Sequence, residues 1–395
     1  FQTTKDIQTA VDGAMTHAIN EQFWGRKLSI ALLLRSDMVA LASNETRRLE
    51  MDELTTLGNN EMIANYWPRT FQGIAAANQA IAGAASVNVD EATKNPITAQ
   101  AYFMRAFYYF HLVRLFGDIP YLTEPVTATT AEAQASISKT SAADVYAGII
   151  ADLEFAETHL PNQQATRALP SKGAAKSYLA LVYLTRAGTS GTADFQKAYD
   201  KAKEVINNKA AYDYELDSDF QNLFNADVID ASKEPIFALD YNNVEASDNA
   251  YDQVAPMTGI RNNYRFGAGN GGWAQVVPEI KVFNDWPAGD YRRAVSFDDK
   301  ALLLMNSEQH LDTGFLLPKR RRDLLSPLAC IHYDYYESID EIDYFISKNK
   351  EDIQCIVGNY SSTDVIPFGK AQYPDLKDFA DNKNTLEFLS TLNTN

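Results

Sequence analysis

Helical periodicity runs through the first 210 residues of this 395-residue chain. In TTKDIQTAVDGAMTHAI apolar positions recur three and four apart. That spacing predicts an opening helix with Thr3 or Thr4 as N-cap and Asp6 in its first turn. Residues 59–86, NNEMIANYWPRTFQGIAAANQAIAGAAS, continue the pattern through Tyr66, Phe71, Ile74, Asn78 and Ile81. Residues 101–116 carry seven aromatic residues and two arginines, Arg105 and Arg114, with His111 between them. On a helix, Phe103, Phe107, Phe110 and Arg114 share one side and Tyr102, Ala106 and Tyr109 flank it, so the helix is buried over most of its circumference. It is too polar to cross a bilayer, which needs about 20 apolar residues without internal charge. Gly117 and Pro120 end it. Residues 140–160 predict a helix capped by Thr140 or Ser141 and closed by Pro161. The segments at 171–188 and 194–208 predict a pair in which Ala180 and Ala198 alternate with Tyr183, Tyr199 and Val205. This is a loose form of the tetratricopeptide small/large pattern, and a plain helical hairpin fits the same spacing.

Beyond residue 210 the texture changes. YELDSDFQNLF reads as a polar helix or turn, and Pro235–Tyr241 as a β-like run. Residues 242–290 are rich in Gly, Asn and aromatic residues, as in NNYRFGAGNGGWAQVVPEI. Long loops of that composition are where binding tends to reside.

Composition narrows the function. The net charge of −17 and a pI near 4.7 argue against nucleic acid or an anionic membrane surface as a partner. Both cysteines, Cys330 and Cys355, fall in the last hundred residues, and the long cysteine-free run before them suits an exported protein. The five histidines and two cysteines show no metal-ligand spacing. Cys330 and His332 sit on a strand-like run, and Cys355, flanked by Ile353, Ile356 and Val357, has the setting of an inert core thiol. GAGNGG lacks the lysine and the strand–helix frame of a phosphate loop, and KRRRD at 319–323 reads as a solvated turn. No cofactor is implied.

The loop aromatics remain. A sugar ring offers an apolar C–H face and a rim of hydroxyls, so an aromatic plane beside Asn or Arg can read both. Trp273, Tyr264 and Phe266, with Arg261, Asn262, Asn263 and Asn270, fit that recipe by type. The alternative is that Trp273 only pins its loop to the scaffold. Trp67, on a predicted helix, is read as core; Trp24 and Trp286 are left open.

Several stretches in this order resemble the SusD/RagB family of glycan-binding outer-membrane lipoproteins. They are FQTTKDIQTAVDGAM, YWPRTFQGIAAANQAI, the aromatic helix ending in FHLVRLFGDIPYL, SKGAAKSYLALVYLTRA, YELDSDFQNLF with EPIFALDY, and WAQVVPEIKVFNDWPAGDYRR. The resemblance covers residues 1–298 and implies a mainly α fold. It is a scaffold of tetratricopeptide-like helical pairs with a loop-rich binding face, on which the aromatic helix is scaffold and not ligand site. It further implies a non-enzymatic surface protein that passes oligosaccharides to a TonB-dependent outer-membrane transporter. Such a protein is anchored by an upstream lipidated cysteine that is not in this chain. Residues 299–395 depart from that pattern. SPLACIHYDYYESIDEIDYFI, KEDIQCIVG and FGKAQYPDLKDFAD followed by TLEFL resemble the C-terminal end of LuxC-type acyl-CoA reductases, an α/β segment. The nucleophile and nicotinamide half of those enzymes lie upstream of this end and are not found here, so a composite chain joined near Asp299–Lys300 is expected. The rival readings are a reductase-related enzyme and a peptide-binding helical scaffold.

Overall fold

The computed structural model describes residues 1–42, 45–190, 192–225, 227–241, 252–259, 271–287 and 289–296, and then 317–320, 330–333, 335–350, 353, 356–358 and 365–366. It falls into two compact units, Phe1–Phe297 and Asp298–Asn395.

The first unit is built from helices laid against one another in sequence. α1 (Thr4–Ile19) packs on α4 (Glu61–Ala85), α4 on α5 (Glu91–Phe116), and α5 on α7 (Ala142–His159). α7 packs on α8 (Lys172–Ser190), and α8 on α9 (Ala193–Asn207). Shorter pieces α2 (Lys27–Leu34), α3 (Thr46–Asp52) and α6 (Ala131–Ala135) lie between them in the chain. Local chemistry sets the ends. Thr3 caps α1 in a reciprocal box with Asp6, Asp90 caps α5, and Ser141 caps α7 by accepting from the Asp144 amide. At the far end of α5, Gly117 takes a φ of +71° while its N–H still reaches Val113.

α5 is the axis of the core. Every residue from Phe103 to Val113 is buried, including Arg105 and His111. Tyr108 closes against α4 where Gly73 leaves room, since a Cβ there would stand 2.3 Å from the tyrosine ring. Its hydroxyl donates to the Ala14 carbonyl of α1 at 2.6 Å. Arg105 donates to both oxygens of Asp152 on α7, at 2.7 and 2.8 Å, and to Asn78 on α4 at 2.9 Å. Arg105 also reaches the Thr123 carbonyl, and Asn78 donates to the Leu122 carbonyl. One guanidinium thus joins three helices and the strap that follows α5.

That strap is GDIPYLT, residues 117–123. Asp118 accepts from the Ala142 amide at the start of α7, Ile119 bridges Thr140 and is fully buried, and Tyr121 lies 4.6 Å from the Tyr109 ring. The motif therefore turns the chain from α5 into α7. Trp67 packs on the core against Phe71 and Phe116, as expected of it, and Trp24 packs there against His111.

At the last pair, Tyr183 and Val205 are buried but Tyr199 is 57% exposed. Ala180, Ala198 and Ala202 line an apolar groove of about 390 Å³ with Leu181, Leu184, Phe195 and Tyr199. FQNLF forms a short 3-10 turn, Phe220–Phe224. The β-like run Pro235–Tyr241 is not a strand. Ile236, Phe237 and Leu239 instead lie on the helical core, and the Ala238 amide donates to the Arg167 carbonyl of a loop, so apolar content there serves packing on helices instead of strand pairing. No helix among the described residues is long and apolar enough to cross a membrane.

In the second unit, β3 (Leu317–Arg320) pairs in parallel with β4 (Cys330–Tyr333), which bears out the strand reading for Cys330 and His332. A ten-residue helix, Ile339–Lys348, follows, and Ile356–Val357 pairs in parallel with Val365–Ile366. Cys355, the FGKAQYPDLKDFAD motif and the Asp299–Lys300 join lie outside the described residues.

Candidate functional site

The Gly/Asn-rich region returns to the helical unit at two places. Gln253 donates its amide to the Gly25 carbonyl at 2.8 Å and its side chain to Glu21 at 3.1 Å. From there α10 (Val254–Thr258) runs one turn to Gly259. After Gly271 and Gly272, three consecutive amides fix the path of the chain. Trp273 donates to the Pro256 carbonyl at 2.5 Å, Ala274 to Gly259 at 2.9 Å, and Gln275 to Met257 at 2.8 Å.

The glycines before Trp273 have separate tasks. Gly271 adopts a φ of +125°, open to glycine and strained for other residues. Gly272 lies against Gly259 so closely that a Cβ on it would stand 2.1 Å from the Gly259 oxygen. After the tryptophan, Ala274 is held at a φ of +46°, a left-handed conformation that costs a residue with a Cβ about 1–2 kcal/mol. The strand β2 (Val276–Pro278) then pairs antiparallel with β1 (Val39–Leu41). Met257 and Val276 are buried with Ile30, Leu34, Met51 and Met62. The backbone on both sides of Trp273 is therefore anchored, while the residue itself is 42% exposed.

Two further side chains reach this turn. The Gln275 amide nitrogen donates to the Trp273 carbonyl at 3.3 Å. Its oxygen accepts from Arg48 of α3 at 3.1 Å. Burial lowers the Arg48 guanidinium from its ordinary value, an effect the neighbouring Glu45 opposes. Sequence reading had no access to this link, because Arg48 and Gln275 are 227 positions apart. Next to Arg48, Arg47 lines a polar cleft of about 450 Å³ with Glu45, Thr46, Glu50, Asn59, Asn60 and Glu61. Its groups bond to one another: Arg47 to Glu61 at 2.6 Å, and Asn60 to Glu50 at 2.8 Å.

Of the seven residues singled out from sequence, the structure places Trp273. Arg261, Asn262, Asn263, Tyr264, Phe266 and Asn270 lie outside the described residues. Two further aromatics stand between the short helices Ile280–Asp285 and Arg292–Ser296. Trp286 donates to Asp290 at 3.2 Å, and Tyr291, 52% exposed, accepts at its hydroxyl from the Phe220 amide.

Stacked helical hairpins, with an aromatic residue on a backbone-anchored turn, define a tetratricopeptide-like helical scaffold. Residues 2–184 match the SusD-like family model described as starch-binding and associating with the outer membrane. The chain is 48% identical over 304 residues to SusD-like protein P2 of Formosa agariphila, covering 76% of this chain and 58% of that protein. It is 23% identical over 359 residues to SusD-like protein P25 of the same organism, covering 88% of this chain and 63% of that one. It thus spans about three fifths of the length of these relatives. A solved laminarin binding SusD-like protein shares the fold, with a TM-score of 0.63 at 22% identity over 78% of this chain and 68% of that chain. Over residues 2–184 the chain is thus similar to the SusD-like family, and it shares that family's helical fold.

Proposed function

We propose that this protein binds oligosaccharides, without chemically altering them, through the face that carries Trp273. On this reading it works at the outer surface of the outer membrane and passes its ligand to a TonB-dependent transporter. The observation that carries the reading is the turn around Trp273. Three backbone hydrogen bonds, two glycines and a left-handed alanine are spent on holding one residue at 42% exposure. A loop pin needs the opposite, a ring sunk into the scaffold. An indole plane held at the surface suits the apolar face of a pyranose, and stacking of this kind contributes roughly 0.5–1.5 kcal/mol beyond buried area. Tyr264 and Phe266 extend the shelf in this reading, and Arg261, Asn262, Asn263 and Asn270 read the hydroxyl rim. The family description and the laminarin-binding relative support a polysaccharide as the ligand class.

Affinity electrophoresis tests the reading. Migration should be retarded in gels containing a soluble glucan such as laminarin or starch, and free oligosaccharide should restore it. Migration unchanged from that in glycan-free gels, across a panel of α- and β-linked glucans and host glycans, would remove the proposal.

The second unit is read as a separate piece that resembles the end of an acyl-CoA reductase and adds no reduction chemistry. Reduction of an acyl-CoA needs a nucleophile and a hydride donor site, which those reductases carry upstream of this end. Incubation with a long-chain acyl-CoA and NADPH should oxidise no cofactor above the blank. Oxidation lost on Cys330→Ala or Cys355→Ala would make one of those thiols a nucleophile and overturn this.

A further inference from the structure

Arginine only donates hydrogen bonds, so the Arg48 contact fixes which end of the Gln275 amide faces it. The oxygen must turn to Arg48, and the NH₂ group is thereby aimed the other way, at the Trp273 carbonyl. Arg48 is itself 8% exposed and ion-paired with Glu45, so its guanidinium is a fixed point on the helical scaffold. The carbonyl being gripped belongs to the Trp273–Ala274 peptide, the one whose following residue is held at a φ of +46°. Rotation of that peptide would relieve the left-handed alanine and swing the tryptophan away from its present direction.

We propose that Gln275, oriented by Arg48, is a positioning residue that locks the Trp273–Ala274 peptide and so sets the direction of the indole ring for ligand. This rests on the reading of Trp273 as a saccharide shelf. Gln275 itself need touch no sugar. Its effect reaches ligand through the ring.

The protein labelled with 5-fluorotryptophan gives a fluorine resonance for each of its four tryptophans, and Trp273→Phe assigns the one of interest. Two variants separate the contacts. Gln275→Glu keeps an acceptor for Arg48 but loses the donor to the Trp273 carbonyl, and Gln275→Leu loses both. In each, the Trp273 resonance should narrow and shift more between H₂O and D₂O. Affinity for a laminarin- or starch-derived oligosaccharide should fall about 3- to 10-fold, the worth of one hydrogen bond. Gln275→Glu should keep the parental melting temperature, because its tie to α3 survives as an ion pair. An unchanged Trp273 resonance in both variants would overturn the proposal. So would a changed resonance with parental affinity, provided that Trp273→Ala weakens binding. If Trp273→Ala leaves affinity unaltered, the saccharide reading is what fails, and the fluorine resonance alone decides whether Gln275 positions the ring.

Discussion

The surroundings of Arg105 and the turn around Trp273 solve opposite problems. At Arg105, side chains hold backbones together: one guanidinium on α5 bonds α4, α7 and the strap after α5, and its side-chain partners Asp152 and Asn78 are buried. At Trp273, backbones hold a turn in place: three amides bond to α10 and Gly259, and the residue they position stays 42% exposed. Removing a side chain should therefore damage folding in the first region and recognition in the second. That contrast separates scaffold aromatics from ligand aromatics better than aromatic content does, since α5 is the richer in rings.

The largest effect is expected at the buried pair. Asp152→Ala leaves the Arg105 charge without its counter-ion in the interior and should cost about 3–5 kcal/mol in denaturant unfolding. Replacing both partners by Met and Leu should recover most of this loss. A double variant as unstable as the single one would mean that Arg105 matters through Asn78 and the strap carbonyls instead. Gly73→Ala comes next. Its methyl would meet the Tyr108 ring, which is fully buried, so about 1–3 kcal/mol should be lost. Combining it with Tyr108→Leu should give less than the sum of the two single losses.

A pH dependence belongs to the same core. Burial, and secondarily Arg114, push His111 down to about 3. Its unfolded value is about 6.5, so below that pH the unfolded chain takes up a proton that the folded chain refuses. The stability held by this neutral histidine is complete above about pH 6.5. It declines as pH falls toward 3, by up to about 1.4 kcal/mol per pH unit. Unfolding followed from pH 7.5 to 5 should show a slope that His111→Gln removes. A variant with the parental slope would assign it to carboxylates.

The helices were legible because each is specified within its own span. Thr3 with Asp6, Asp90, Ser141 and Gly117 are local signals, and the aromatic run at 101–116 has few ways to be buried except inside an array. The run Pro235–Tyr241 misled because β-like composition also suits an extended segment that covers a helical core. Trp273 was legible as a loop aromatic, but what holds it was not. The approach of Gly272 to Gly259 and the Arg48–Gln275 bond join distant positions, and neither leaves a local pattern. Tyr291 was passed over for a similar reason, because its hydroxyl partner is an amide 71 residues away.

The central claim, that Trp273 is held out for ligand and not for stability, is tested most directly by Trp273→Ala measured two ways. Calorimetric titration with the glycan that the parent binds should show about 5- to 30-fold weaker affinity, equivalent to roughly 1–2 kcal/mol. Thermal unfolding should stay close to the parent, because truncating a residue at 42% exposure leaves no closed cavity. Parental affinity together with a marked fall in melting temperature would contradict the account: Trp273 would then be a pin, and the binding face would lie elsewhere, with the region around Tyr241, Asn242, Asn243 and Tyr251 the first place to look.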